Sequence, residues 1–477
     1  MHEPHLYEEL AADLVGLIER GTLKHGARFP SVRRLSEQRG VSVATVVQAY
    51  ALLESRGMIE ARPKSGHFVR ARRADGLREP TAPRPARGPI KVAVAEDAVD
   101  LMYATMGDPS LAPLGTACVS PELLPVRKLN GILASLVREL GDLGATYDAG
   151  GARPLRQMLA RRAITWGVPL GEDDFVITVG ASEALYLSLR AVTKPGDTIA
   201  VESPLYFGLM QLVSDLGLRA FEVPLHPRTG LDLDALDAAL RAAPVRAVLT
   251  VPSFSNPIGS LMPPEARERL VKMLARDDIP LIEDDVYGDL SFDGTRPRPA
   301  KAFDRDRVLL CGSISKTLAP GFRVGWVAGG RHHAAIGRLK LTRTLSTPAA
   351  PAMAVAEMLA RGSYDRHLRR LRRTLAVQVA QYREAIATHF PAGTKVSDPQ
   401  GGFVLWVELP AGADSLEIQG HALERGIAIA PGSIFAVRPR YKECLRINAG
   451  FPMTERIGAA IRTLGELCER ATRGELR

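Results

Sequence analysis

The stretch GSISKTLAPGFRVGW (residues 312–326) places a lysine, two serines and an arginine in a segment that is otherwise mostly apolar. Lys316 follows Ser313 and Ser315, and Arg323 comes seven residues after the lysine. An unpaired lysine is costly to bury. These groups therefore either lie in water on a loop or converge on one anionic ligand.

Further polar residues follow short apolar runs that are rich in β-branched side chains. The runs are FVITV (175–179), TIAV (198–201), AVLTV (247–251), PLIED (280–284), VLLCG (308–312) and VGWVA (324–328). Helical patterns separate most of them, which predicts an α/β fold with a mostly parallel sheet and helices on both faces. Ligands bind beyond the carboxyl ends of the strands in such sheets.

The polar groups after these runs have complementary chemistry. Free backbone amides at a helix start bind phosphate, an aromatic face stacks on a planar ring, and carboxylates and amides supply hydrogen bonds. The candidates are, in chain order, the amides of Ala181, Ser182 and Glu183, the ring of Tyr206, the amide of Asn256, the carboxylate of Asp284 and the ring of Tyr287.

Each candidate also has an ordinary alternative. The acids at 283–285 could bind Mg²⁺ together, and tyrosines such as Tyr206 and Tyr287 more often pack in a core. Asn256-Pro257 is a common turn, and Lys316 alone would more often be solvated. Nothing in a single motif decides between these alternatives.

The combination of groups decides for a cofactor. An amine, a carboxylate, an aromatic face, an amide donor and two phosphate-binding turns fit pyridoxal 5′-phosphate, which needs a lysine imine and an acid at its ring nitrogen. A magnesium site would not require the lysine. We therefore predict that this part of the chain binds pyridoxal 5′-phosphate.

The order G-A-S-E, E-S-P-x-Y, N-P-x-G, D-x-x-Y, S-x-S-K-x-x-x-P-G-x-R-x-G closely resembles class I aminotransferases of fold type I, over roughly residues 100–470. The resemblance implies that Lys316 carries the cofactor's aldehyde and that Asp284 pairs with the ring nitrogen. It further implies that Asn256 and Tyr287 bond the ring hydroxyl and that Tyr206 stacks on the ring. The phosphate would be held by Ser313, Arg323 and the turn at 181–183.

Two further segments resemble parts of the same family. CLRINAG (444–450) resembles the segment whose arginine binds an amino acid's α-carboxylate, which assigns that role to Arg446. The fork of an arginine matches a carboxylate geometrically. TYDAGGARPLRQMLARR (146–162) resembles the segment whose tyrosine, here Tyr147, reaches the partner subunit's cofactor phosphate, which implies a homodimer. An ordinary surface role remains the alternative for both residues.

The first 71 residues have a different organisation. Leu6, Leu10, Leu14 and Leu17/Ile18 share one face of a predicted helix at 6–19. FPSVRRLSEQRG (29–40) predicts a second helix that ends at Gly40, and Ser42 is predicted to cap a third over 43–57. MIEARPKSGHFVR then reads as a two-stranded hairpin. Two helices joined by a tight turn are typical of a helix-turn-helix, here followed by a wing.

The segments FPSVRRLS, VSVATVVQAYALLESRG and KSGHFV resemble the winged helix of the GntR family. The resemblance implies that the third helix enters the major groove of double-stranded DNA. Many family members carry an arginine where this chain has Val43, so a base contact is either missing or replaced by a thymine-methyl contact. A protein-interaction domain is the alternative. The candidates for DNA contact are Arg33, Ser42, Thr45, Gln48, Lys64 and His67.

Length and charge agree with several domains. A chain of 477 residues is too long for one compact core. Residues 1–91 carry 16 Lys and Arg against 10 Asp and Glu, an excess that favours an anionic partner. We predict a winged helix-turn-helix domain at 1–71, a Pro- and Arg-rich linker without helix or strand at 72–97, and an aminotransferase-like domain at 98–472, with a small α+β part from about 365.

Several classes of protein are disfavoured. No run of about 18 apolar residues predicts a membrane span, and the acidic N-terminus does not resemble a signal peptide. The four cysteines lack the spacing of a zinc site or a disulfide framework. A cytoplasmic location is expected.

The fusion of the two modules resembles the MocR branch of bacterial regulators. That resemblance implies a dimeric transcription factor in which an amino compound, or pyridoxal phosphate itself, controls DNA binding. An active aminotransferase that carries a DNA-binding head is the alternative. A DNA-binding protein with an inert scaffold is disfavoured because Lys316 and Asp284 are both intact.

Overall fold

The computed structural model describes residues 6–19, 22–23, 27–55, 58–62, 65–69, 77–92, 96–139, 141 and 145–476. The chain divides into two compact units. The first comprises Met1–Gly76 with Val377–Thr388, and the second comprises Leu77–Ala376 with His389–Arg477. Within the described ranges, no helix has the length and apolar character that a membrane crossing requires.

The first unit contains the predicted helix-turn-helix and wing. Its elements are α1 (Leu6–Glu19), α2 (Val32–Arg39), α3 (Val43–Ser55) and the antiparallel hairpin of β1 (Ile59–Arg62) and β2 (Gly66–Val69). Gly40 ends α2 with a φ of 63°, a left-handed conformation that residues with a Cβ rarely adopt. Ser42 Oγ accepts a hydrogen bond from Thr45 N at 3.1 Å and so caps α3 as predicted.

A small apolar core holds these elements together. Leu10, Leu14 and Ile18 of α1 are buried in it, whereas Leu6, predicted on the same face, is 57% exposed because it lies in the first turn, before the packed stretch. Tyr50 of α3 is buried at the centre of this core. Its hydroxyl donates to Pro30 O at 2.8 Å, which ties α3 to the residue just before the capped start of α2.

The second unit is built on a large sheet. Its strands are β3 Ile90–Lys91, β5 Phe175–Val179, β6 Thr198–Ser203, β7 Arg219–His226, β8 Gly230–Leu231, β9 Val245–Thr250, β10 Leu281–Asp284, β11 Val308–Ser313 and β12 Val324–Ala328. Their order is β3-β7-β6-β9-β10-β11-β12-β5, and β8 pairs with β7. The strands β7, β6, β9, β10 and β11 run parallel, while β12 is antiparallel to both of its neighbours. All six predicted runs are therefore strands.

Helices cover both faces of this sheet. The helices are α4 Glu96–Ala104, α5 Val126–Glu139, α6 Arg153–Thr165, α7 Gly180–Val192, α8 Phe207–Asp215, α9 Leu233–Ala242, α10 Pro264–Arg276, α11 His333–Arg343 and α12 Ala349–Ala360. Side chains alternate along β5, so that Phe175 and Ile177 join one apolar cluster with residues of α6 and α12, and Val176 joins another with residues of α7.

A smaller α+β part follows, as predicted. The antiparallel strands β13 (Lys395–Val396), β14 (Val404–Glu408), β17 (Cys444–Asn448) and β16 (Ala430–Pro431) form its sheet in that order. Its helices are α13 Ser363–His389, α14 Ser415–Glu424 and α15 Glu455–Thr472. A short parallel pair joins β4 (Ala112–Pro113) to β15 (Ile427–Ala428).

Residues 77–91 lie on the second unit, although 72–97 was predicted to lack helix and strand. Ile90–Lys91 form β3 at the edge of the large sheet, where they pair with β7, and α4 begins at Glu96. Thr81 Oγ1 donates to Glu408 at 2.8 Å, and Arg438 donates to Gly88 O at 2.6 Å. A two-residue strand is too short to produce a periodic pattern, and its partners come from distant parts of the sequence.

Candidate cofactor site and nucleic-acid interface

The direction of the strands brings the candidate residues to one edge of the large sheet, the edge formed by the carboxyl ends of its parallel strands. The segments after β5, β6, β9, β10 and β11 leave the sheet at the same edge, because these strands all run the same way. Strand β12 runs the opposite way, so Arg323, which immediately precedes it, also lies at this edge. Ligands of open α/β sheets bind at this position.

A cavity of about 710 Å³ opens at this edge. Ten of the residues predicted from the sequence line it. They are Ala181, Ser182, Tyr206, Asn256, Asp284, Tyr287, Ser313, Lys316, Arg323 and Arg446. The structure therefore brings together groups that are spread over 266 positions of the chain.

Lys316 extends its amine into this cavity. Its Nζ donates to Ala117 O at 2.7 Å and lies 5.9 Å from the ring centroid of Tyr287. The next residue, Thr317, is held by two side chains of α13. Tyr364 donates to Thr317 Oγ1 at 3.0 Å, and His367 Nε2 donates to Thr317 O at 2.7 Å. These contacts orient the backbone that carries the lysine.

Asp284 is the acid at the end of β10 that faces the cavity. It accepts a hydrogen bond from Val286 N at 3.4 Å, and burial raises its pKa to about 7. Its neighbours serve other contacts: Glu283 accepts from backbone amides of residues 300–301, and Asp285 pairs with Arg296. The three carboxylates therefore have separate partners, an arrangement that does not match the shared Mg²⁺ site considered from the sequence.

Glu202 is a buried acid near Asp284 that the sequence analysis did not single out. Its Oε1 accepts from Thr250 Oγ1 and, at 2.8 Å, from Val251 N. Burial raises the pKa of Glu202 to about 7, and the charge of Asp284 adds to this effect. The charge of Asp284 therefore disfavours the charged form of Glu202. Glu202 is the first residue of the E-S-P-x-Y motif, but no role was predicted for it from the sequence.

Asn256, Tyr287 and Tyr206 line the cavity beside these charges. Asn256 Nδ2 donates to the Tyr287 hydroxyl at 3.3 Å. Burial raises the pKa of Tyr287 and raises that of Tyr206 to about 12, so both phenols stay protonated at neutral pH. The Tyr206 ring packs against Gly208, where a Cβ would come within 2.6 Å of ring carbon Cε1. The glycine therefore permits this ring position.

The start of α7 and Arg323 together form an anion cradle. The first amides of a helix have no intrahelical partner and carry partial positive charge. Gly180, the first residue of α7, has a φ of 74°, and a Cβ there would lie 2.3 Å from Arg323 Nη2. Glycine thus admits the guanidinium at the helix start. Ala181 and Ser182 follow in the first turn, and Ser313 ends β11 nearby on the cavity wall.

The side chain of Glu183 does not line the cavity. Its Oε2 accepts from Val179 N at 2.6 Å and its Oε1 accepts from Thr344 Oγ1 at 2.7 Å. Lys340 Nζ lies 3.8 Å from the same carboxylate. The acid therefore stabilises the first turn of α7 from behind, and of Glu183 only the backbone amide remains a phosphate candidate.

Arg446 of β17 is 1% exposed. Its Nη1 donates to Asn256 Oδ1 at 3.1 Å and its Nη2 donates to Gly115 O, while its Nε finds no hydrogen-bond partner in the described part of the chain. No acid among the described residues pairs with it, and burial lowers its pKa. A buried guanidinium without a carboxylate is a strong binding position for an anionic ligand.

The segment from Gly115 to Cys118 was missed in the sequence because it acts through backbone oxygens. Its carbonyl groups accept hydrogen bonds from Arg446 and Lys316. Asn448 holds it by donating to Thr116 Oγ1 at 2.9 Å and to Cys118 O at 3.0 Å. A Cβ on Gly115 would lie 2.6 Å from the backbone of residue 429, so the close approach requires glycine.

Tyr147 lies apart from these residues. It is 79% exposed and does not line the cavity. Its proposed contact with a partner subunit's phosphate stays a prediction.

The candidates for DNA contact lie in the first unit. Arg33 of α2 and Gln48 of α3 are exposed, and the hydroxyls of Ser42 and Thr45 bond each other at 2.8 Å. His67 packs edge-on against the Tyr50 ring, with centroids 4.8 Å apart, so it also has a structural role. Lys64 falls outside the described residues.

Comparison with known proteins agrees with both units. Residues 135–462 match the family "Aminotransferase class I and II", and residues 6–69 match "Bacterial regulatory proteins, gntR family". The chain is 39% identical to the HTH-type transcriptional regulator YjiR of Escherichia coli (strain K12), over 98% of this chain and 99% of that protein. It is also 39% identical to the E. coli regulator YdcR, over 97% and 99%. This protein is a GntR-family transcriptional regulator of the MocR type.

A solved structure resembles the larger part of this MocR-type regulator. The α-aminoadipate aminotransferase LysN of Thermus thermophilus, complexed with N-(5′-phosphopyridoxyl)-L-leucine, superposes with a TM-score of 0.74 and 28% identity. The match covers 80% of this chain and 96% of LysN. The MocR-type regulator thus combines a DNA-binding head with an aminotransferase fold, and pyridoxal phosphate is its cofactor.

The residues of the cavity fit that cofactor. Lys316 supplies the amine, Asp284 a buried acid, and Gly180 leaves space for Arg323 beside free helix amides. The described residues leave the buried Nε of Arg446 in the same cavity without a hydrogen-bond partner, which suits a carboxylate beside the cofactor. These groups of the MocR-type regulator therefore match the aldehyde, the ring nitrogen and the phosphate of the cofactor, and the carboxylate of an amino acid.

Proposed function

We propose that this regulator binds a free amino acid, or a closely related amino compound, at the cofactor and that binding changes its affinity for operator DNA. The observation that carries the proposal is Arg446, a buried guanidinium that has no acidic partner among the described residues and lines the same cavity as Lys316. A primary amine beside the lysine and a carboxylate on the arginine define an amino acid. Pyridoxal phosphate itself as the signal is the second possibility within this proposal.

Bound pyridoxal phosphate supplies an aldehyde that exchanges between primary amines and a ring that withdraws electrons from the attached compound. The positions of this chain's residues in the cavity support the roles proposed for them. Lys316 would present the exchanging amine, Asp284 would pair with the ring nitrogen, and Arg323 with the start of α7 would hold the phosphate. Arg446 binds the effector's carboxylate.

Effector binding also changes contacts within the chain. Arg446 Nη2 and Lys316 Nζ donate to the carbonyl oxygens of Gly115 and Ala117. A carboxylate bound at Arg446 replaces the carbonyl of Gly115, because an ionised acceptor is the stronger partner. Release of this segment is the local event that we propose as the start of the signal.

We also propose that the regulator acts as a homodimer on double-stranded DNA. Tyr147 is exposed, as a residue that serves a partner subunit's site must be in a single chain. The DNA partner implies that the regulator works in the cytoplasm. Loss of Tyr147 would then weaken cofactor retention although the side chain lies outside its own cavity.

Transamination is the second candidate function, because Lys316 and Asp284 both face the cavity. One experiment separates the candidates. Full-length protein with pyridoxal phosphate is titrated with the common L-amino acids, and the visible spectrum, keto acid formation and affinity for a selected DNA duplex are measured together.

A regulator changes its spectrum and DNA affinity with one or a few amino acids without sustained keto acid release. Sustained release identifies an enzyme. The decarboxylated amine of each active amino acid serves as the control for Arg446. A spectrum and a DNA affinity that no amino compound alters would contradict the proposal.

A further inference from the structure

The outward face of α3 carries no charge over its first three turns, and the exposed Glu54 follows in the last turn. From Val43 to Leu53 the helix reads VATVVQAYALL, without a charged residue. Its inward positions, Val46, Ala49 and Tyr50, are buried in the core of the first unit. The outward positions are Val43, Ala44, Val47, Gln48 and Ala51. Gln48 is the single polar side chain on this face.

Helix stability does not explain why two of these outward positions are valine. Val43 and Val47 are each 50% exposed. β-Branched residues lower helix stability, and exposed helix positions are better served by Ala, Lys or Glu. Residues four apart lie on the same side of a helix, so the two valines form one apolar strip about 6 Å long.

The surroundings of this strip are cationic. Arg33 and Arg34 of α2 are both exposed, and Ser42 at the start of α3 is exposed as well. Helix α2 packs directly on α3. An uncharged strip beside exposed arginines complements the major groove, where phosphates form the rims and base edges form the floor.

We infer that Val43 and Val47 read thymines by contacting their 5-methyl groups in the major groove. Thymine is the base that presents a methyl group there, and apolar side chains contact it. About 6 Å along the helix corresponds to roughly two base-pair steps of about 3.4 Å. The operator half-site therefore contains two thymines within about two steps, with Gln48 placed to bond a neighbouring adenine. This inference rests on DNA binding by α3 under the proposed function.

The test uses the full-length protein with its cofactor. Duplexes that it binds are selected from a random library, and each thymine of the selected half-site is then replaced by uracil, which removes only the methyl group. Binding of the parent protein should weaken about fourfold at each of two positions, as expected for about 0.8 kcal/mol per buried methyl-sized group. Val43→Ala should abolish the uracil effect at one position and Val47→Ala at the other.

Val137→Ala is the matched control, because Val137 is also an exposed helical valine, 59% exposed on α5 of the second unit. It should keep both uracil effects. The inference is overturned if uracil substitutions never change the affinity, or if they act equally on Val43→Ala and Val47→Ala. Either result leaves DNA binding itself intact. Selection of no duplex at all would instead contradict the proposed function.

Discussion

Arg446 donates a hydrogen bond to the backbone carbonyl oxygen of Gly115, and no acid among the described residues neutralises the guanidinium. A buried charge is costly without an ionic partner. A backbone carbonyl supplies only partial charge, so the position is ready to exchange that weak partner for a carboxylate.

Arg446→Lys should weaken effector binding about 10- to 100-fold, since a charged hydrogen bond contributes about 1.5–3 kcal/mol and lysine lacks the two-pronged fork. Spectral titration with an active amino acid measures the change. The decarboxylated amine should bind parent and variant equally. Equal losses for acid and amine would mean that the substitution disturbs the whole cavity.

Asp284→Asn should change how stability depends on pH when the cofactor is removed. The folded-state pKa of Asp284 is raised to about 7, above the usual value of about 3.9. The folded chain thus holds a proton that the unfolded chain releases, and stability is lost as pH rises from about 4 to 7. Asparagine removes this loss, so the variant should gain up to about 4 kcal/mol relative to the parent at pH 8 and little at pH 4.

Thermal unfolding of the cofactor-free proteins at both pH values measures this difference, and exposed Asp100→Asn is the control. A constant offset at the two pH values would contradict a protonated Asp284. With the cofactor restored, Asp284→Asn should instead bind pyridoxal phosphate more weakly, because the acid beside the ring nitrogen is gone.

Gly180→Ala should weaken phosphate binding in particular. A Cβ at this position would lie 2.3 Å from Arg323 Nη2 and would displace the guanidinium from the start of α7. We expect pyridoxal phosphate affinity to fall at least about tenfold, the equivalent of one lost charged hydrogen bond, while the affinity for unphosphorylated pyridoxal changes little. Absorbance titrations with the two compounds measure this ratio.

Gly337→Ala is the matched control for that substitution. Gly337 lies in α11, and among the described residues no atom outside the neighbouring helix backbone would come within 4 Å of an added Cβ. Alanine there should be neutral or stabilising by about 0.5–1 kcal/mol, as in other helix interiors. A similar loss of phosphate selectivity in both variants would exclude the proposed cradle.

Arg33→Ala should weaken binding of a selected duplex and lower the slope of log affinity against log salt by about 0.9, the value for one phosphate contact. The visible band of the bound cofactor should be unchanged, because Arg33 lies in the first unit and the cofactor residues lie in the second. Arg246→Ala, at an exposed position of the large sheet, removes the same charge and should leave the slope unaltered. An unaltered slope in Arg33→Ala would remove this residue from the DNA contact.

The large sheet and most of the cavity were predictable because strand direction and side-chain chemistry act together. Each polar candidate follows an apolar run, and parallel strands deliver their ends to one edge. The antiparallel direction of β12 could not be predicted from VGWVA, because the same apolar residues suit a buried strand of either direction. It nevertheless brings Arg323 to the same edge.

The missed features depend on atoms or partners that a local pattern does not contain. Gly115 and Ala117 act through carbonyl oxygens, which every residue has. Glu202 becomes unusual only because Asp284 is buried near it, 82 positions later in the chain. Ile90–Lys91 form a strand because β7 offers them backbone hydrogen-bond partners at the side of the sheet. Two residues are too few to show a strand pattern in the sequence.

The hydrogen bonds between α13 and Thr317 have a consequence for substitutions that lie far from any ligand. Tyr364 and His367 hold the hydroxyl and the carbonyl of the residue that directly follows Lys316. A substitution that shifts α13 along its axis by a fraction of a turn would therefore move the peptide group next to Lys316. The direction of the lysine side chain in the cavity would change with it. Altered cofactor reactivity in such a variant would originate in a helix that touches neither aldehyde nor effector.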